Sequence, residues 1–283
     1  MFDRLLSRSA ITLLALQVLL VVTGGLVRLT GSGLGCPTWP KCTADSYQPI
    51  KSQPQLHAWI EFGNRLLTFA LFAAALATLF SLYKSSKSTR KDLLLLAWLQ
   101  VAGIFGQGIL GGITVLTKLN PIPVAGHLLL SMVLISGAAS LQYKIVHEIE
   151  PKLQDVPAVV RILTTFAFLT LIAGTIVTGS GPHAGDWQAP RFEIAIQTAA
   201  KLHGALVTIT LLIAIYIATK FPRPIVNILI AVMFGQGLIG LIQWWKGLPQ
   251  GLVGLHLFGA SMFWFATWRS YLSFKHQDLG ANR

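Results

Sequence analysis

Eight apolar runs fix what this chain can fold into; they lie at about 9–29, 57–82, 93–116, 122–143, 160–179, 195–218, 224–244 and 250–271. At a helical rise of about 1.5 Å per residue, each can cross a hydrocarbon core of about 30 Å. The runs are rich in Leu, Ala and Ile and lack the two-residue alternation of a membrane strand. Only 11% of the residues are charged, against roughly 25% in a soluble domain. The expected fold is therefore all-α: a polytopic membrane protein with eight transmembrane helices. A water-soluble enzyme, a disordered chain and a disulfide-dense secreted domain are excluded on the same grounds.

The net charge of +12 reads best as lysine and arginine retained on the cytoplasmic side of a bilayer. With a cytoplasmic N-terminus, fourteen of the 22 basic residues fall on that side, and eight spans then return the C-terminus to it. The strongest anchor is Lys84-Ser-Ser-Lys87-Ser-Thr-Arg90-Lys91. A solvated loop is the plain account of this run, and no nucleic-acid partner is expected. The first run is longer than a signal-peptide core and no small-residue cleavage site follows it, so it is expected to stay as a span. A bacterial plasma membrane is the expected location.

The chain also repeats itself. Phe105-Gly-Gln-Gly-Ile-Leu-Gly-Gly-Ile113 resembles Phe234-Gly-Gln-Gly-Leu-Ile-Gly-Leu-Ile242, and a histidine follows each phenylalanine at a spacing of 22 residues, His127 and His256. Leu29-Thr-Gly-Ser-Gly33 matches Val177-Thr-Gly-Ser-Gly181, and Leu56-His57 and Leu202-His203 open the second and sixth spans. The expectation is two pseudo-symmetric four-helix halves, 1–150 and 151–283. Because four is even, the halves share one orientation and an axis along the membrane normal.

His57, His127, His203 and His256 lie inside spans near their outer ends, whereas His147 and His276 fall in inner segments expected to be solvated and His183 in an outer loop. An ionisable group inside a membrane helix is costly and marks function by default. Facing imidazoles in a bundle can hold a haem iron axially. His203 with His256 makes such a pair, and His57 with His127 takes the matching places in the N-terminal half. A zinc site is the other metal reading, but it lacks a close histidine motif such as H-E-x-x-H.

Glu61 lies within the second span, four residues from both His57 and Arg65, so all three share a helix face. It is either half of an ion pair with Arg65 or a carboxylate that handles protons beside a substrate. Arg28 and Arg65, near the outer surface, suit anionic propionates or lipid phosphates. Cys36 and Cys42, the only two cysteines, fall in an outer loop where a disulfide persists, as a staple or as a redox-active pair.

These residues together resemble a known family. Gly24-Gly-Leu-Val-Arg-Leu-Thr-Gly-Ser-Gly33, the Cys36–Cys42 loop, Ile60-Glu-Phe-Gly-Asn-Arg65, Gly179-Ser-Gly-Pro-His-Ala-Gly-Asp186 and the Leu-His repeats, over about residues 11–271, look like the haem A synthases of the cytochrome oxidase assembly type. The resemblance implies an oxidoreductase that oxidises the C8 methyl of haem O to a formyl by successive hydroxylations, giving haem A for cytochrome c oxidase, with haem b as cofactor. It places the haem b ligands on His203 and His256, the substrate-side histidine on His127, the catalytic glutamate on Glu61 and the cysteine pair on Cys36 and Cys42. The family glutamate is followed three residues later by histidine; here that place is Asn64. Either His57 stands in for the missing ligand or His127 holds the haem O iron alone. The implied partners are haem O, the bilayer, haem O synthase as supplier and an electron carrier; a homo-oligomer is compatible with all of this. The rival readings are a b-type membrane cytochrome exchanging electrons with quinone, and a transporter built on a parallel repeat.

Overall fold

The computed structural model describes residues 1–50, 55–147 and 155–276. Eight helices follow one another: α1 (Phe2–Leu29), α2 (Gln55–Lys84), α3 (Lys91–Leu116), α4 (Pro121–Val146), α5 (Ala158–Ser180), α6 (Ile196–Lys220), α7 (Pro224–Trp245) and α8 (Gln250–Lys275). All eight are long and apolar enough to cross a membrane, and no strand occurs among the described residues. The chain is an all-α, multi-pass membrane protein. Helices are the expected answer in lipid, because each span satisfies its own backbone hydrogen bonds.

Most helices outrun the apolar segments that announce them, since a helix continues through the interface until its chemistry stops it. α1 begins some two turns before its apolar core, and Asp3 in its first turn accepts from Ser86 Oγ at 2.9 Å. α4 starts sharply: Asn120 Oδ1 accepts from Ile122 N at 3.0 Å and Pro121 fills the first helical position. At the opposite end of α4, Lys144 reaches Asp92 at 2.9 Å, and Asp92 also pairs with Arg90.

Helices α1, α2, α3 and α4 pack as a ring, each against the next and α4 back against α1. Helices α5 to α8 close a second ring in the same way. Between the rings, α1 meets α8, α4 meets α5, and α4 meets α8. Exchanging the rings turns the first of these contacts into the second and leaves the third unchanged, which is the contact pattern of a two-fold arrangement. The short outer turns repeat as well. Lys118 and Leu119 (φ 53 and 62) stand in left-handed conformation between α3 and α4, as do Gly247 and Leu248 (φ 74 and 62) between α7 and α8. The boundary expected between residues 150 and 151 lies outside the described residues.

The α4–α8 contact is the central seam. Trp264 Nε1 donates to Met132 O at 2.7 Å and to Ser136 Oγ at 2.8 Å; Trp268 Nε1 donates to Ser140 Oγ at 2.8 Å. A buried indole N–H needs such a partner in an apolar medium. The α1–α8 contact uses small residues instead: Gly25 lies under the Leu257 side chain and Gly254 under Leu29.

Candidate functional site

The sequence pairs His203 with His256, and the two rings stand with centroids 6.4 Å apart and planes at 78°. His203 sits in the second turn of α6 and His256 in the second turn of α8. His203 Nδ1 lies 3.1 Å from Thr170 O on α5. A carbonyl only accepts, so Nδ1 carries the proton and the Nε2 lone pair remains available to a metal. His256 Nδ1 is buried and makes no hydrogen bond of good geometry among the described residues. Space is kept beside both rings. A Cβ on Gly174 would stand 3.3 Å from His203 Cε1, one on Gly240 3.4 Å from His256 Cε1, and one on Gly204 would meet nothing within 4 Å.

These observations fit one iron between two imidazoles. With metal–nitrogen bonds of about 2 Å and each ring nitrogen about 1 Å from its centroid, axial imidazoles stand roughly 6 Å apart, centroid to centroid. The zinc set does not assemble, because no cluster of three or more His, Cys, Asp or Glu side chains gathers among the described residues.

In the N-terminal ring the same elements are present, with one exchange. His127 on α4 matches His256: Gly111 lies under it, with a Cβ there 3.3 Å from His127 Nε2, as Gly240 lies under His256. Gln107, from the repeated Phe-Gly-Gln-Gly motif, donates to His127 O at 3.1 Å and to Ser131 Oγ at 2.7 Å. On α2, the position that corresponds to His203 by burial register is Asn64. Leu71, Ala75 and Thr78 of α2 and Thr210, Ala214 and Ile217 of α6 are all buried to 1% exposure or less. That pattern matches each α2 residue with the α6 residue 139 further on, which pairs Asn64 with His203 and His57 with Ile196. The repeated Leu-His dipeptides suggest His57 for this place, but they are offset from it by two helical turns.

His57 instead closes the outer end of the bundle, its Nδ1 2.8 Å from Ser32 Oγ. Asn64 Oδ1 accepts from Thr23 Oγ1 on α1 at 2.7 Å. It lines a recess of about 250 Å³ with Thr23, Leu26, Trp59, Ile60 and Gly63. The burial register thus gives Asn64 and His127 the places that His203 and His256 hold in the other ring, and no ring contact joins His57 with His127 among the described residues.

Glu61 and Arg65, one turn apart on α2, both turn toward the loop before it. Cys36 and Cys42 form a disulfide, with both residues wholly buried. Glu61 Oε2 accepts from Cys36 N at 2.7 Å, and Glu61 Oε1 pairs with Arg65 Nη2 at 2.6 Å. Arg65 also donates to Cys36 O, Thr38 O and Lys41 O at 2.9, 3.1 and 3.3 Å. The ion pair is thus present, and it clamps the disulfide loop from below. The Trp39 ring lies over Gly112, next to the Gly111 that faces His127. The loop so roofs the N-terminal site.

Arg28 is likewise engaged by backbone rather than left open to an anion. Its Nε donates to His183 O at 2.6 Å and its Nη2 to Thr178 O at 2.7 Å. His183 Nε2 reaches Leu248 O at 2.8 Å, so these bonds join α1, the 181–195 loop and the α7–α8 turn. Ser32, Thr23, Thr170 and Gln107 all hold the site, yet the first three do not stand out in the sequence. Gln107 had a signal, its place in the repeated motif; the hydroxyls and carbonyls had none.

Gly35 sets how closely the loop seats. A Cβ there would lie 2.5, 2.6 and 2.7 Å from His57 O, His57 C and Ala58 N, all backbone atoms of the first turn of α2. Backbone cannot yield as a side-chain tip does. Gly35→Ala should therefore lift the loop at a cost of about 1–3 kcal/mol and speed alkylation of Cys36 and Cys42 under mild reduction. An unchanged rate would mean that the loop absorbs the methyl elsewhere.

Fold and site together define a class: polytopic helical membrane proteins with a histidine pair set between helices near one face. Within that class, the sequence profile of the family described as cytochrome oxidase assembly protein matches residues 7–185, from α1 to the loop after α5. The chain belongs to this family. His203 and His256 lie beyond the matched stretch. The chain is 35% identical over 113 residues to a haem A synthase of Lysinibacillus sphaericus, covering 40% of this chain and 36% of that one. It is 32% identical over 137 residues to a haem A synthase of Shewanella oneidensis, covering 44% and 40%. A third, from Geobacillus thermodenitrificans, is 30% identical over 104 residues, covering 36% and 31%. The match thus spans well under half the length of each relative.

Proposed function

We propose that this chain is a haem A synthase that oxidises the C8 methyl of haem O to a formyl, with haem b as its resident cofactor. The observation that carries the reading is the His203–His256 pair, spaced for two axial imidazoles, in a member of a family whose similar relatives are named haem A synthase. Haem supplies the one-electron and oxygen chemistry that oxidation of an unactivated methyl requires and that side chains lack.

The chain's own residues supply position and protection. His203, held by Thr170, and His256 bind the cofactor in the C-terminal ring. His127, with Gly111 beneath it, binds the substrate in the N-terminal ring. The disulfide loop, pinned by Arg65 and Glu61, keeps water from the outer mouth of that ring. Glu61, bonded to Cys36 N of the roof, holds or moves protons there. The substrate's isoprenoid tail explains why the enzyme works inside a bilayer. Both termini face the cytoplasm, which leaves the disulfide loop on the oxidising side. Haem O synthase supplies the substrate and an external carrier exchanges the electrons.

Haem extraction and chromatography test the proposal, on membranes that express this chain with a source of haem O. Haem A beside protein-bound haem b is the expected result. Haem b alone, with haem O unconverted although the protein is folded and an electron carrier is present, would replace the synthase by a b-type cytochrome.

A further inference from the structure

The two rings are not equivalent where they would grip iron. In the C-terminal ring His203 faces His256 across 6.4 Å. In the N-terminal ring the place of His203 is held by Asn64. The burial register of α2 against α6 makes that match, and the surroundings repeat it. His203 borders Thr170 and Gly174 of α5. Through the repeat of Leu29 with Val177 these correspond to Val22 and Leu26 of α1, and Asn64 borders Thr23 and Leu26.

Among the described residues, neither neighbouring candidate on α2 fills the gap. His57 lies seven residues away, about 10 Å along the helix axis, and is bonded to Ser32. Glu61 is nearly a turn outward, with both carboxylate oxygens engaged by Arg65 and Cys36 N. The Asn64 amide is no haem ligand: axial positions take imidazole, thiolate, thioether or phenolate. Its oxygen is moreover already accepting from Thr23, and its Nδ2 lies on the α1 side, 3.9 Å from where a Cβ on Gly24 would stand.

We propose that the N-terminal site holds haem through His127 alone, and that the coordination position on the Asn64 side is an open binding site for a small neutral diatomic molecule. This rests on the reading that both rings bind haem. Asn64 sets the character of the position. It is too short and too weakly basic to close the iron. The C-terminal site, closed by His203 and His256, does not bind one. One chain thus carries a six-coordinate and a five-coordinate haem at similar depth.

Carbon monoxide reads the difference directly. The full chain is purified in detergent, loaded with haemin as the stand-in for both haems, reduced with dithionite and titrated with carbon monoxide. The expected stoichiometry is one carbon monoxide per two haems, with the remaining haem low-spin. Asn64→His should abolish that binding, at least tenfold in the amplitude of the difference spectrum, and convert the second haem to low-spin at unchanged haem content. His57→Ala should leave binding unaltered, whereas His127→Ala should remove the carbon-monoxide-binding haem. Two low-spin haems and no binding in the wild-type chain would overturn the proposal while leaving both haem seats intact. Loss of the second low-spin haem in His57→Ala would overturn it in favour of His57 as ligand. Failure of the underlying reading looks different: the low-spin haem would survive both His203→Ala and His256→Ala.

Discussion

Replacing His256 by alanine is expected to remove the low-spin haem from the purified chain and to leave haem at His127 in place. In the proposed function both imidazoles of the C-terminal pair would hold one iron, and the His203 ring is already set in the required tautomer by Thr170. Loss of either leaves a vacancy beside glycines that cannot fill it, Gly240 next to His256 and Gly174 next to His203. A deleted axial ligand should cost at least 100-fold in haem retention, or about 3 kcal/mol at 1.4 kcal/mol per tenfold. The pyridine haemochrome assay gives the stoichiometry, and electron paramagnetic resonance the spin state. Added imidazole should restore the low-spin signal in His256→Ala, because the cavity matches the lost side chain. Low-spin haem that persists in both single variants would remove the pair from the cofactor site.

The second large effect falls on Glu61. Glu61→Ala should keep the low-spin haem and lower haem A formation by about 10²–10⁴-fold, the usual range for a lost proton-transfer group. The alanine variant has a second defect. It leaves Arg65 partly buried beside the loop without its carboxylate, and breaking a buried pair in this way costs about 3–5 kcal/mol. Glu61→Gln separates the two effects. Glutamine still accepts hydrogen bonds from Cys36 N and Arg65 and keeps the loop seated, but it carries no exchangeable carboxyl proton. Low activity with a normal melting temperature in Glu61→Gln assigns a proton role. Normal activity in Glu61→Gln would make Glu61 a brace for the disulfide loop alone.

How much of this was legible in the sequence differs by level. The eight spans follow from hydropathy, because lipid leaves the backbone no alternative to helix. The Phe-Gly-Gln-Gly repeat places His127 and His256 in matching turns of α4 and α8, and the outer turns before them also repeat in conformation. The disulfide was legible from two cysteines in one short outer loop. The register of α2 against α6 was not. Leu56-His57 and Leu202-His203 are a dipeptide match in apolar helices, and such a match does not fix rotation or depth. The true register shows in which residues are buried, and those pairs differ in type: leucine against threonine, threonine against isoleucine. Arg28 and Arg65 were readable as outer-side cations but not as loop anchors. Their partners are carbonyls, which every residue carries and no side chain announces.

The seam between α4 and α8 has a consequence for electron exchange. His127 rides on α4 and His256 on α8, and these two helices are stitched by Trp264 and Trp268 to Met132, Ser136 and Ser140. Two haems held on those histidines would keep a fixed separation, and tunnelling between them decays exponentially with distance. A seam stitched by three indole hydrogen bonds would therefore act as a calibrated gap. If both rings hold haem as proposed, substrate could enter or leave the N-terminal ring without retuning the rate at which charge crosses from one half to the other.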